Sequence, residues 1–273
     1  MSFRVGYLQF QPVSGKPHEN VQTILRALEY VEADLLVLPE LAFTGYLFEN
    51  REALYRLAEE PQQSVIVERL ISLCKTRDLH IVTGFAEKLG DKVFNSALLL
   101  GPNGLLHSYR KLHLFNLEKQ WFDAGDLPLS VQSVRGVKIG MMICFDWIFP
   151  EVARALALQG AQILCHPSNL VLHYCQDAMQ TRCLENGVFA VTCNRVGAEK
   201  TGTVELTFTG QSQIVAPKGK MLHRAPKHEQ LLFITEIDPQ LANAKQITER
   251  NDMLVDRRPD FYCDLWQQKE GSA

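Results

Sequence analysis

With 273 residues, 46% of them hydrophobic and 22% charged, the chain has the composition of a packed soluble protein whose core needs no disulfide or metal staples. A formal net charge of −3 and a pI near 6.3, with no block of like charges, exclude an electrostatic footprint for nucleic acid and a charged interaction tail. Seven cysteines without a CxxC pair, a strand-like start in place of a signal peptide, and no apolar run near the roughly 18 residues of a membrane span point to reduced thiols in the cytoplasm.

In chain order, Phe3 to Gln11 alternate and meet Pro12, which predicts a strand and then a loop. Val21, Ile24, Leu25, Leu28 and Val31 repeat at helical spacing between Pro17 and Val31. The short apolar run LLVLP suits a buried strand and delivers Glu40 at its end. A second helix is predicted from about Gln63 to Thr76, followed by the strand HIVTGFAE. VFNSALLL and LLHSYRK, joined by GPNG, read as a hairpin that ends at Lys111. The stretch from His113 to Leu129 has no clear period, and loops of that length in compact domains are usually functional. VKIGMMIC reads as a strand ending on Cys144, and FPEVARALALQG as a helix with a glycine stop. Strand AQILCHP, a helix from Tyr174 to Asn186 and strand GVFAVTCN follow. GQSQIVAP, a turn at PKGK, KMLHR and LLFITEID are then expected to form antiparallel strands. The alternation predicts an α/β protein: a four-layer α-β-β-α sandwich of two mixed β-sheets. It forms one domain, 1–273, with a C-terminal arm over about 247–273 that includes Trp266.

Glu40, Lys111 and Cys144 each fall just beyond a predicted strand, and ligands of open α/β sheets collect at such ends. A thiol nucleophile needs a base for its proton and a cation or paired donors for a developing oxyanion. A carboxylate, an ammonium and a thiol supply that set. Each residue also has a bland reading: Cys144 as a small core side chain, Glu40 as a helix cap or loop charge, Lys111 as one surface lysine among many. Cys165, His166, His173 and Cys175 lack CxxC or HExxH spacing, so no metal is expected. Neither GxxxxGK[ST] nor GxGxxG occurs, so no phosphate-cradling loop is predicted.

Three motifs in this order resemble the nitrilase superfamily of carbon–nitrogen hydrolases, in its amidase and archaeal-nitrilase-like branch. LLVLPELAFTGY resembles the segment of the base glutamate, YRKLHLF that of the catalytic lysine, and ICFDWIFPEVARALALQGA that of the nucleophile. GFAEKLGDKVFNSALLL, CLENGVFAVTCNRVG and GQSQIVAPKGKML extend the likeness over nearly the whole chain. Phe145-Asp146-Trp147 stands where plant-type and bacterial aromatic nitrilases usually carry Trp-Glu-Asn. The resemblance implies Glu40 as base, Lys111 as catalytic lysine, Cys144 as nucleophile, and Glu118 as a second glutamate orienting Lys111 and substrate. The backbone N–H of Phe145 is expected to stabilise the oxyanion. Tyr46, Phe115, Trp121, Trp147 and Asn169 are expected to contact substrate.

The implied reaction cleaves a small amide to a carboxylic acid and ammonia through a cysteine thioester, with no cofactor. The alternatives are a nitrilase for small aliphatic nitriles and an N-carbamoyl amidohydrolase; a silent scaffold is disfavoured by the complete catalytic set. The resemblance further implies a homodimer or higher homo-oligomer. Glu151 and Arg154 form either a helix pair or part of that interface.

Overall fold

The computed structural model describes residues 2–262. The first half builds one sheet. Its strands are β1 (Phe3–Gln9), β2 (Leu35–Val37), β3 (His80–Leu89), β4 (Lys92–Gly101) and β5 (Gly104–Arg110). Helices α1 (Pro17–Ala27), α2 (Arg51–Leu57) and α3 (Val65–Arg77) lie between them in sequence. A single turn, α4 (Glu118–Trp121), interrupts the long connection to the second half. There follow β6 (Val131–Val134), β7 (Val137–Met141), α5 (Pro150–Leu158), β8 (Ile163–Pro167), α6 (Cys175–Asn186) and β9 (Phe189–Cys193). A small hairpin of β10 (Ala198–Thr201) and β11 (Val204–Thr207) precedes β12 (Gln213–Val215), β13 (Met221–Arg224) and β14 (Leu231–Ile237).

The two six-stranded sheets have the same plan. One runs β14-β1-β2-β3-β4-β5 and the other β13-β12-β9-β8-β7-β6. In each, three central strands are parallel (β1, β2, β3 and β7, β8, β9) and the flanking strands are antiparallel. Both faces of each sheet are covered, which explains the continuous apolar runs. Along β2, Leu35 and Val37 enter a core shared with Ile139, Met141, Ile163 and Val191 of the other sheet. Leu36 and Leu38 turn the opposite way, toward Val21 and Ile24 of α1 and Val67 and Leu70 of α3. The period-two alternation thus assigns one face to the facing sheet and one to the helices. Helices α5 and α6 cover the outer face of the second sheet, completing the four layers.

Local chemistry sets the helix limits. Ser64 caps α3 by accepting from Val67 N at 3.3 Å, and Pro150 opens α5. Gly187 closes α6 at φ 58°, a left-handed position that favours glycine. Helix α2 had no signal in the apolar pattern; it starts on Asn50, whose side chain accepts from Ala53 N at 2.8 Å.

The last three expected strands are antiparallel but divide between the sheets. β12 and β13 pair with each other, while β14 pairs antiparallel with β1 in the first sheet. The crossing is held by Gln9, whose Nε2 donates to Pro226 O and Glu229 O at 2.8 Å each.

Of the expected C-terminal arm, β15 (Gln246–Thr248) and β16 (Asn251–Asp252) form a hairpin beside the end of α6. Lys245 fastens it there, donating to Asn186 O at 2.8 Å and Gly187 O at 2.9 Å. Residues 263–273, with Trp266, lie outside the described residues. Among the described residues, no helix is long and apolar enough to cross a membrane.

Candidate active site

Glu40, Lys111 and Glu118 come together in the interior. Glu40 follows β2 and Pro39, Lys111 follows β5, and Glu118 opens α4. Lys111 Nζ lies 2.6 Å from Glu40 Oε1 and 2.8 Å from each carboxylate oxygen of Glu118, with all three side chains closed to solvent. Asn95 Nδ2 donates to Glu40 Oε1 at 2.7 Å, and the Tyr46 hydroxyl donates to Glu118 Oε1 at 2.7 Å. Burial alone would push the Lys111 ammonium down; Glu118, Glu40 and Cys144 outweigh it and hold the pKa above the usual lysine range. Glu118 is pushed up by burial and by Glu40, with Lys111 acting in the opposite sense.

Backbone packing positions Glu40 closely. A Cβ on Gly84 would fall 2.4 Å from both Glu40 Cα and Leu41 N, so only glycine lets β3 pass so near the carboxylate's own backbone. The loop beyond it is pinned by buried Glu199, which accepts from Tyr46 N at 2.9 Å and Leu47 N at 2.8 Å and is paired with Arg195.

Cys144 sits three residues beyond the end of β7, at the first position of a 3-10 turn, Cys144–Ile148, with φ 41°. A left-handed conformation is rare for a residue with a Cβ, and it persists only where neighbours enforce it. Asp146 supplies much of that enforcement. Its Oδ2 accepts from Ile143 N at 2.8 Å and the Tyr109 hydroxyl at 2.7 Å, while Oδ1 accepts from His113 N at 3.3 Å and lies 2.8 Å from His113 Nδ1. His166 braces the other side, with Nε2 2.9 Å from Cys144 O and Nδ1 3.1 Å from Thr192 Oγ1. Because a carbonyl only accepts, Nε2 carries the proton and Nδ1 accepts from Thr192. Burial holds His166 down at about 4, so the ring is neutral near pH 7.

The Cys144 thiol is pushed well above its usual range, first by burial and then by Glu40; Lys111 and the backbone of Asn169 act the other way. At neutral pH it is therefore a thiol, which has to lose its proton to a base before it can attack. Phe145 follows in the first turn, where a backbone N–H has no partner three residues back within the helix.

Cys144, Phe115, Phe145, Trp147 and Asn169 line a narrow cavity of about 20 Å³, with Leu170, Val171 and Leu172. Four residues expected to contact substrate or oxyanion, Phe115, Phe145, Trp147 and Asn169, thus share one wall with the thiol. Tyr46 and Trp121 are not among the residues lining this cavity: Tyr46 belongs to the charged cluster, donating to Glu118, and Trp121 packs edge-on against Phe48 at 5.6 Å. Two wider clefts, about 550 and 810 Å³, lie against α5 and α6, where Glu151 and Arg154 are found. Neither includes Glu40, Lys111 or Cys144, so chemistry and not volume locates the site. Among the described residues no group of three or more His, Cys, Asp or Glu could hold a metal ion.

The sequence reading did not single out Asn95, His113 or His166 as parts of this centre, and took Asp146 only as part of a motif. Asn95, His166 and Asp146 are inward polar residues on a strand or turn, a position that alternation alone does not distinguish from an outward one, and His113 is a half-buried residue of the loop after β5.

Comparison with known proteins fits this geometry. Residues 4–246 match the carbon-nitrogen hydrolase family. The chain is 41% identical over 262 residues to a nitrilase of Pyrococcus abyssi (strain GE5 / Orsay), covering 95% of this chain and 98% of the relative. It is 33% identical over 259 residues to an (R)-stereoselective amidase of a Pseudomonas species, covering 92% and 91%. Among solved structures it is similar to a variant of the amidase from Nesterenkonia sp. AN1 that carries the acetamide moiety of fluoroacetamide as a covalent addition at its active-site cysteine. That likeness has TM-score 0.81 at 25% identity and covers 96% of both chains. The chain belongs to the carbon-nitrogen hydrolase family and is a cysteine-dependent enzyme of that family.

Proposed function

We propose that the enzyme hydrolyses a small primary amide to a carboxylic acid and ammonia through a thioester on Cys144. The observation that carries this reading is the buried Glu40–Lys111–Glu118 cluster, whose charges act on the Cys144 thiol. Glu40 takes the thiol proton through Oε2, the oxygen not bonded to Lys111 or Asn95, as sulfur attacks the carbonyl carbon. Lys111 and the Phe145 N–H stabilise the oxyanion; removing one such donor typically lowers kcat about 10²- to 10³-fold. The C–N bond then breaks, and the nitrogen takes the proton back from Glu40 and leaves as ammonia. Glu40 next accepts a proton from water as its oxygen adds to the thioester. The C–S bond breaks, the acid is released, and the sulfur recovers its proton. Glu118 holds Lys111 in place and charged.

A nitrile would reach the same thioester after one added water, so hydrolysis of a small aliphatic nitrile is the second reading, favoured by the likeness to the Pyrococcus nitrilase. The narrow cavity favours short substrates under either reading. An ammonia-release assay on amides, nitriles and N-carbamoyl compounds with matched short side groups separates them. The amide is expected to have the highest kcat/KM in each matched set; a nitrile or carbamoyl compound in that place would overturn the reading.

A further inference from the structure

Three buried oxygens at or beside Glu40 have no hydrogen-bond partner among the described residues: Oε2 of Glu40, Oδ1 of Asn95 and Oδ1 of Asn169. The nitrogens of both amides are already committed. Asn95 Nδ2 donates to the Glu40 carboxylate at 2.7 Å, and Asn169 Nδ2 donates to the Glu40 backbone carbonyl at 2.9 Å. Carboxylate and carbonyl oxygens only accept, so these bonds fix which end of each side chain is nitrogen and leave the oxygen free. Native interiors leave few buried polar atoms unpaired, and a cluster of free acceptors calls for a ligand that donates.

Asn169 is the amide of this group that lines the cavity with Cys144. It is 2% exposed, and its backbone is held on both sides: Ser168 N donates to Cys193 O, and Leu170 N to Asn194 Oδ1, each at 2.8 Å. Its oxygen therefore has little freedom to find another partner. Opposite it in chemistry stand the donors Lys111 and Phe145 N–H. The site offers donors for an oxygen and acceptors for a nitrogen that carries hydrogens. A primary amide presents both; a nitrile nitrogen carries no hydrogen.

We propose that Asn169 is a specificity-determining residue whose Oδ1 accepts a hydrogen bond from the –NH2 of a primary amide seated at Cys144, setting a preference for the carboxamide over the nitrile of the same side group. The inference rests on the amidase reading above and assigns the nitrogen subsite within it. A ligand without the donor leaves Oδ1 buried and unpaired, which weakens binding about 10- to 100-fold.

The test is binding to the Cys144→Ala protein, where no chemistry intervenes. Propionamide is titrated against butanone, which replaces –NH2 by –CH3 at nearly constant shape, and against propionitrile. Propionamide is expected to bind at least about tenfold more tightly than either. Asn169→Leu in the same background should bring the ratio close to one by weakening propionamide alone. Equal affinities for propionamide and butanone would overturn the proposal without any change at Asn169, so the test stands even if that variant fails to fold. A ratio unchanged by Asn169→Leu, or equal weakening of all three ligands, would also overturn it and mark the residue as structural. Ammonia release by the unaltered enzyme is measured alongside. Its absence with every amide would count against the hydrolase reading, while the binding ratio would still decide the role of Asn169.

Discussion

The two sheets share a plan of three parallel strands with antiparallel flanks, yet they deliver different things to the same centre. The first brings ionisable groups, Glu40 after β2 and Lys111 after β5, and these are held mainly by each other and by Glu118. The second brings a backbone shape, the left-handed Cys144 after β7 and the tethered Asn169 after β8, held by hydrogen bonds that Asp146 accepts, that His166 donates and that Asn169 donates to the Glu40 carbonyl. One half of the site depends on charge balance, the other on geometry. Variants should therefore fail in different ways on the two sides.

The largest effect is expected where charge balance is broken. Lys111→Met would leave Glu40 and Glu118 buried together without their cation. Removing one partner of a buried ion pair typically costs about 3–5 kcal/mol, readable as a lowered denaturation midpoint. The loss should shrink as pH falls and Glu118, pushed up by burial and by Glu40, takes up a proton. A loss under about 1 kcal/mol would mean that the cluster is not held by its charges.

On the other side the expected signature is a pH dependence through His166. Its folded pKa, about 4, lies below the ordinary value of 6.5, so between those values the unfolded chain binds more protons than the folded one. The contribution is fully present above about pH 6.5 and is lost as pH falls toward 4. The shift corresponds to about 3 kcal/mol. His80, His107 and His223, also held below their usual range by burial, act in the same direction. His166→Gln should flatten the slope of stability between pH 6.5 and 4; an unchanged slope would remove His166 from this role.

The smallest of the three effects tests the turn alone. Asp146→Asn keeps the shape but sets an amide nitrogen against donors from either Ile143 and Tyr109 or His113. It should cost about 1–3 kcal/mol and lower turnover by relaxing the Cys144 backbone. Full turnover would show that the turn holds its shape without Asp146.

The same contrast explains what could be read in advance. Apolar runs such as LLVLP and VKIGM announce strands because both of their faces are buried, and chemistry placed at their ends can be read with them. The motif resemblance linked Glu118 to Lys111, seven positions before it, and the structure brings the two side chains to 2.8 Å. Strand partners were less legible: LLFITEID is equally good as a neighbour of β13 or of β1, because its pattern says which face is buried and not who lies alongside. The reversal at Cys144 was hidden for another reason. Nothing in the local preferences of cysteine announces a positive φ; the turn is imposed by partners distant in sequence, Tyr109, His113 and His166. Trp121 and Trp147 look alike in the sequence, yet one packs on Phe48 and the other lines the cavity.

In the proposed mechanism the sulfur of Cys144 carries the acyl group during turnover. Acid-quenching the enzyme while it turns over a short amide and measuring the intact mass looks for that group on the protein. A population heavier by the acyl group is expected, mapping to the peptide that contains Cys144, removed by hydroxylamine and absent from the Cys144→Ala protein. Turnover that persists in Cys144→Ala, or an acyl group found on another residue, would contradict it.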